Sequence, residues 1–382
     1  MTHTTPTLTQ TQLQEIDFGI QYNLNYIQRL NEIRNLIEDQ NEITTKNISK
    51  IDKNTCLVKA VLFIKSKLKL SVFEKTTVLN FDKSVEDIKT YVSEKMEYFI
   101  EDESCKCDIE FVCNIKNTFL TTGMVLGFVG AFEGSSFKCT KIVFPKTLEG
   151  SSCKAKPQKF LMLSNAKINK NFEKIIPLID IYGEQIDDIL ILGSVFDNNL
   201  DNWDFSRFER SLETFKGNVY FVPGANDPTT NFVPQTPLHK LLFSNLKCIK
   251  TLPNPAKVTI NHKKYSFLDY KLLIKDFMRY KKNSDPIDAL KAIVNCRHLA
   301  PSAPDTIPSI PFTGNDPFIL HSCDFFVCGG EQTDFEIYKD KFLLSLPDFD
   351  ATNTAVLFNA ENCYVQEVSV SYDLLEGRKE NK

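Results

Sequence analysis

A small β-barrel joined to an α/β domain of two stacked sheets flanked by helices, with a helix ahead of both, is the fold class this sequence predicts. Three observations predict it. Short runs rich in β-branched and aromatic residues fill Cys56–Pro145, with one helical interruption. Beyond a polar linker at 145–158, strand and helix patterns alternate, and several apolar runs stop abruptly at Gly. The 382 residues allow two or three domains, and 30 Phe supply a sizeable core.

Residues 1–15 are rich in Thr and Gln and are expected to be disordered. From Tyr22, the residues Tyr26, Ile27, Leu30, Ile33, Leu36 and Ile37 recur at steps of three and four. That spacing predicts an amphipathic helix docked on its own domain, with Arg29, Glu32 and Arg34 on its polar face. The expected domains are 1–49 for this start and helix, 50–150 for the barrel, 156–375 for the α/β domain and 376–382 for a tail.

In the barrel, Cys56–Lys65, Lys69–Leu79, Cys107–Ile115, Met124–Phe132 and Phe137–Phe144 read as strands. Glu133-Gly134-Ser135 marks a turn, and Val85, Ile88, Val92 and Met96 read as a helix. Five strands with one helix suit an oligonucleotide/oligosaccharide-binding (OB) type barrel. Such barrels often hold single strands in a basic groove with stacking aromatics. Here Asp102, Glu103, Asp108 and Glu110 crowd the middle strands, so a structural or protein-binding barrel is expected.

In the second domain Phe160–Leu163 is a short apolar run, Ile176–Tyr182 is mixed, and Asp188–Leu192 is a strand that stops at Gly193. Ser206-x-x-Glu209 reads as a capping box opening a helix with Phe208, Leu212 and Phe215 on one face, ending at Gly217. Val219–Val222 is a strand broken by Pro223-Gly224, and Val258–Ile260 with Tyr265–Leu268 reads as a hairpin around His262-Lys263-Lys264. A helix opens at Ser284-Asp285-Pro286, with Pro just inside its start and Ile287, Leu290, Ile293 and Val294 on its apolar face. Phe325–Cys328, Phe342–Leu346, Ala355–Phe358 and Cys363–Val370 complete the sheets.

The 45 basic and 49 acidic residues leave a net charge of −4, against a protein whose main task is gripping nucleic acid. The 11 cysteines are scattered. Neither Cys105-Lys-Cys107 nor Cys323…Cys328 has zinc-site spacing, so free thiols in a reducing compartment are expected. No basic-then-apolar leader opens the chain, and the longest apolar run, Met124–Phe132, is short and holds Gly127 and Gly130. A soluble, intracellular protein without a membrane partner is the expectation.

A strand ending in Pro-Gly or Gly sets the next residues at a carboxyl edge, where α/β folds keep their ligand sites. Gly with acidic or His residues at strand ends suggests a binuclear metallophosphoesterase, whose ligands hold two cations about 3.5–4 Å apart. The calcineurin-like phosphoesterase pattern supplies these as D-x-H, G-D-x-x-D, G-N-H-D, an isolated His and G-H-x-H. This chain offers Ser164-Asn165-Ala166, then Gly193-Ser194 with Asp197 further on, then Gly224-Ala225-Asn226-Asp227 and Gly329-Gly330-Glu331-Gln332. His298 alone could stand for the isolated His. The vestigial site is therefore Ser164, Ala166, Ser194, Asp197, Ala225, Asn226, Asp227, His298, Gly330 and Gln332, with no catalytic residue, metal or cofactor expected. Asp197, Asp227 and His298 cannot complete two cation sites, and a buried cation without charged ligands is strongly unfavourable. Asp227 is expected to stabilise a turn ahead of Pro228, and His239 and His298 to be satisfied imidazoles. Gly224→Val should damage folding through the turn, whereas Asp227→Ala should leave partner binding largely intact.

Longer stretches carry a resemblance. They are PGANDPTTNFVPQTPLHKLLF (223–243), RHLAPSAPDTIPSIPFTGNDPFIL (297–320) and LPDFDATNTAVLFN (346–359), with FFVCGG (325–330), TGMVLGFVG (122–130) and the Tyr22–Leu36 helix. An OB-like barrel followed by a ligand-stripped calcineurin-like phosphoesterase domain is similar to the B-subunit family of the replicative DNA polymerases, in its polymerase delta branch. The likeness covers most of the chain, which departs from the family in a short segment between Phe160 and Asp188 and a short tail after Val370. The resemblance implies a non-catalytic scaffold in DNA replication and repair, in the nucleus. It implies two partners: the cysteine-rich C-terminal domain of the polymerase delta catalytic subunit, and a third, clamp-associated subunit. The sliding clamp and DNA would be reached indirectly. The Pro-rich loops 228–240 and 300–318 are candidate interfaces, weighed against packing within their own domain. Three other readings stay open. One is the polymerase alpha or epsilon branch, which PQTPLH and APSAPDT disfavour. One is a residual metallophosphoesterase on Asp197, Asp227 and His298. The last is single-strand binding by the barrel, with Lys263-Lys264 and the Arg279–Lys282 run as its basic residues.

Overall fold

The computed structural model describes residues 22–40, 42–70, 88–150, 157–197, 205–243, 247–312 and 315–369. The expectations for residues 1–15, for the strand beyond residue 70, for Val85 and for the tail lie outside them, as do 151–156 of the linker. The chain divides into two compact units. One holds Gln12–Glu149 with Lys275–His321, and the other holds Gly150–Ile274 with Ser322 onward.

The first unit is built on β1 (Thr44–Thr45), β2 (Cys56–Lys65), β3 (Glu97–Glu101), β4 (Lys106–Phe111), β5 (Val125–Glu133) and β6 (Ser136–Val143). Their order is β1-β2-β3-β4-β6-β5, and a β2–β5 pairing closes the ring. The β4–β6 ladder is parallel and the other ladders of the ring are antiparallel. A closed five-stranded ring with that order is the OB topology expected. The residues 88–96 are not helical. Tyr91 is instead buried, its hydroxyl donating to Asp276 at 2.8 Å and its ring edge-on to Tyr280 at 4.9 Å. Tertiary contacts there override a helical spacing of apolar residues.

The N-terminal helix spans Tyr22–Arg34. It docks through Leu30 and Ile33, joined just beyond the helix by Ile37, against Val61, Val125 and Ile319. One expectation fails: Arg29 is 1% exposed, not on a polar face. The surface beneath the helix is itself polar. The Arg29 guanidinium meets the Asp316 carboxylate at 3.1 Å and donates to the carbonyls of Pro301 and Ala303 at 2.6 and 3.2 Å. Leu24 and Ile27 face outward in its place.

By its contacts, the segment 275–321 groups with the barrel unit. Its helix, Pro286–Cys296, begins as expected: the Asp285 side chain accepts from Asp288 N at 2.7 Å, and Pro286 stands in the first turn.

The second unit contains β7 (Lys159–Ser164), β8 (Asp188–Leu192), β9 (Asn218–Val222), β10 (Ile249–Thr251), β11 (Ala256–Ile260), β12 (Lys263–Leu268), β13 (Phe325–Gly329), β14 (Asp334–Tyr338), β15 (Lys341–Leu346), β16 (Thr354–Asn359) and β17 (Tyr364–Ser369). One sheet runs β10-β9-β8-β7-β16-β17 and the other β11-β12-β13-β15-β14. Strands β7 to β10 are mutually parallel, so their carboxyl ends share one edge. Successive side chains leave a strand on opposite faces. Phe160, Met162, Leu190, Leu192, Tyr220 and Val222 thus fill the space between the sheets with Tyr265, Phe267, Val327 and Leu344. Leu161, Leu163, Ile189, Ile191 and Phe221 pack on the other side with Ile175, Leu178, Phe208 and Leu212 of two helices. Burial on both faces is why these strands read as unbroken apolar runs.

Local readings shift in four places. Ile176–Tyr182 is the end of a helix, Ile168–Tyr182. At the helix Ser206–Leu212 the N-cap residue is Phe205, which makes no side-chain cap bond, and Ser206 Oγ accepts from Arg210 Nη2 at 3.2 Å. That helix stops at Leu212, short of Gly217. Strands β10 and β14 have too little apolar pattern to stand out in the sequence. Among the described residues, no helix is long and apolar enough to cross a membrane.

Candidate functional site

The site is built where the parallel strands end. The carboxylate of Asp227, after β9, accepts three backbone N–H groups: Val195 at 2.9 Å, Phe196 at 2.8 Å and Gly224 at 2.7 Å. It therefore ties the loop after β8 to the loop after β9. This is a larger role than a turn ahead of Pro228. Burial pushes its acid up to about 6, against the pull of the three donors.

Asp269 was not singled out in the sequence. It follows β12, is buried, and accepts from Leu272 N at 2.8 Å while its own N–H donates to Asn254 Oδ1 at 3.2 Å. Burial pushes it up to about 6 as well, and the nearby Asp227 charge adds to the rise. Two glycines leave room for it. A Cβ on Gly193, whose φ is +58°, would stand 2.1 Å from Asp269 Oδ1. A Cβ on Gly224 would stand 2.6 Å from the same oxygen and 2.5 Å from Ser194 N. The only sequence signal was an apolar strand, Tyr265–Leu268, ending in a carboxylate without a Gly.

The remaining strand-end residues point elsewhere. Asn165, at φ 52°, donates Nδ2 to both oxygens of Asp348 at 2.8 and 2.9 Å. Ser164 is buried beside Gly329, and Ala166 is part of the core under the helices. Ser194 takes φ 42° and is buried. Ala225 is half-buried and Asn226 is exposed. Asp197 faces Lys167 Nζ at 3.9 Å, but that lysine is bound to Asp350 at 2.7 Å. Burial disfavours the Asp350 charge, yet Asn171, Lys167 and Lys170 hold it well below the usual carboxylate range. Gly330 is buried, while Gln332 is exposed and uses its backbone carbonyl to accept from Ser345 Oγ at 3.2 Å.

His298 lies in the other unit. Its Nδ1 accepts from Ala300 N at 3.1 Å, so Nε2 carries the proton donated to Asp316 Oδ2 at 3.0 Å. Burial would raise Asp316, but His298 and Arg29 hold it far below the usual range. His239 Nδ1 accepts from Leu241 N at 3.2 Å and caps the short turn Lys240–Leu242.

These residues do not fit a two-metal centre. Such a centre needs several anionic lone pairs aimed at one point. Those of Asp227 are taken by three N–H groups, and Asn165 presents a donor to Asp348. Among the described residues, no group of three or more His, Cys, Asp or Glu converges so as to hold an ion. The arrangement is a set of internal struts that fixes the loops at the strand ends.

Barrel topology and strand-end chemistry together define a two-unit protein of OB barrel and two-sheet frame, whose strand ends serve structure. The family model of the DNA polymerase delta subunit OB-fold domain matches residues 21–142, and the model of the B subunit of DNA polymerases alpha and epsilon matches 161–336. A protein of Oryza sativa named DNA polymerase delta small subunit is 30% identical over 167 residues, covering 41% of this chain and 39% of its own length. A protein of the same name from Saccharomyces cerevisiae is 24% identical over 347 residues, covering 72% of this chain and 70% of its own. The chain thus spans about two fifths of the rice relative's length. A solved structure, TT1561 of Thermus thermophilus, covers 56% of this chain and 100% of its own at 13% identity and a TM-score of 0.32. The fold assignment accordingly rests on strand order and on the two family models. The chain belongs to the B-subunit family of the DNA polymerases.

Proposed function

We propose that this chain is a non-catalytic accessory subunit of DNA polymerase delta. In this reading it bridges the cysteine-rich C-terminal domain of the catalytic subunit and a third, clamp-associated subunit during replication and repair in the nucleus. The single observation that carries the non-catalytic part is the state of Asp227, whose carboxylate is spent on the backbone N–H groups of Val195, Phe196 and Gly224. A carboxylate so used holds loops together and cannot also serve cations. The named relatives support the polymerase delta assignment.

The two Pro-rich loops part ways as docking candidates. The 300–318 loop is used internally, by Arg29 at Pro301 and Ala303 and by the Lys69–Asp305 ion pair at 2.5 Å. The 228–240 loop displays Phe232 at 47% exposure, and Leu241 just beyond it is 85% exposed. Exposed apolar side chains on a stiff, Pro-bearing loop dock at low entropic cost. The test is co-expression with the C-terminal cysteine-rich domain of the organism's own polymerase delta catalytic subunit, followed by size exclusion in high salt. A one-to-one complex, lost in Phe232→Ser/Leu241→Ser, supports the reading. A folded monomer that ignores that domain overturns it. The match of residues 161–336 to the alpha and epsilon B-subunit model makes the corresponding domains of those catalytic subunits the comparison to run alongside.

A further inference from the structure

The barrel closes on a short seam. β4 and β6 pair over three positions, ending at Phe111↔Cys139, whereas β5 and β6 pair over seven. Just past the seam, the N–H groups of Val112 and Cys113 both donate to the Cys139 carbonyl, at 2.9 and 3.3 Å. Those bonds hold the two backbones about one strand spacing apart, ~4.8 Å. That is within the reach of a disulfide, whose Cα atoms sit about 4.4–6.8 Å apart. Cys113 lies two residues past the end of β4, and its thiol comes close enough to the Cys139 thiol to share a hydrogen bond with it. Ile109, Phe137 and Cys139 are buried. Cys113 is half-buried, next to Val112 at 67% exposure. The Cys139 thiol is pushed up to about 12 by burial and by the neighbouring Cys113 thiol. One thiol is thus reachable and the other is sheltered.

We propose that Cys113 and Cys139 form a peroxide-responsive pair that closes into a disulfide across the β4–β6 seam. The Cys113 thiolate attacks one oxygen of hydrogen peroxide, the O–O bond breaks, and the departing oxygen leaves as water with the thiol proton. Cys113 is then a sulfenic acid. The Cys139 sulfur attacks it, the S–S bond forms, the S–O bond breaks, and a second water carries off the Cys139 proton. The two thiols lose two electrons and the peroxide gains them. The product joins the loop after β4 to β6 and locks the seam.

The test uses the purified full chain, treated with hydrogen peroxide, alkylated, digested without reductant and mapped by mass spectrometry. The expected product is a Cys113 peptide linked to a Cys139 peptide, lighter by two hydrogens and released by dithiothreitol. Oxidised protein should melt roughly 5 °C higher. Cys113→Ser should abolish both effects and leave Cys139 reduced. In Cys139→Ala, Cys113 should halt at the sulfenic acid and take up dimedone. The exposed Cys105 is the internal control. Peroxide that oxidises Cys105 while Cys113 and Cys139 stay alkylatable would overturn the proposal, as would Cys113 driven to sulfinic acid without a link.

Discussion

At the residue scale, Asp227 and Asp269 have become part of the frame, and each leads to a measurable consequence. Removing the Asp227 carboxylate strands three buried N–H groups, and each orphaned donor costs about 1–3 kcal/mol. Asp227→Ala is therefore expected to lose roughly 3 kcal/mol or more in urea unfolding. A loss under about 1 kcal/mol would count against the strut role. Gly224→Val should fail to give soluble protein, because its Cβ would stand 2.5 Å from Ser194 N, a backbone atom that cannot step aside. The acids also set a pH slope. Folded Asp269 titrates near 6, and an unfolded Asp near about 3.9. The folded state thus binds more protons between those values. Its extra stability is present below the unfolded value and is lost as pH rises through 6. Urea midpoints should fall from pH 5 to 7, and Asp269→Asn should flatten that fall. A midpoint that rises over this range, or an unchanged slope in the variant, would refute the assignment. Asp316 has the opposite sign, and its contribution is lost only as pH drops below the ordinary carboxylate range.

At the scale of elements, periodicity located most segments and misjudged the faces of some. The helix after residue 21 was legible from its three- and four-residue steps. The burial of Arg29 was not, because the acceptors that make it favourable come from residues 301, 303 and 316, far along the chain. Asp269 escaped for a similar reason: its meaning depends on glycines 45 or more residues away, at 193 and 224. The β7–β9 strands and the Gly-marked ends were readable since burial on both faces leaves an unbroken apolar run. The buried Arg29–Asp316–His298 group yields a prediction of its own. Arg29→Ala should cost about 3–5 kcal/mol by leaving a buried carboxylate uncompensated. Arg29→Lys should recover little of it, because one ammonium cannot serve the Asp316 carboxylate and two carbonyls along a planar fork. Thermal melts of the two variants check this, and near-wild-type stability in Arg29→Lys would mean that charge alone matters.

At the scale of the whole molecule, contacts return residues 275–321 to the barrel unit, which no linear reading of composition could signal. The strand-end geometry leaves the two-sheet frame without a cation site among the described residues, and exposed Phe232 and Leu241 leave it with a surface to offer. In the proposed role the chain supports polymerase delta by binding alone. The most direct measurement of that role is primed-template DNA synthesis by the catalytic subunit, with the wild-type chain and with Asp197→Ala/Gln332→Ala, which changes strand-end side chains outside the buried core. Equal stimulation of synthesis by both is the predicted result. A double variant that folds, binds the catalytic subunit and yet fails to stimulate would show chemistry at the strand ends and contradict that role.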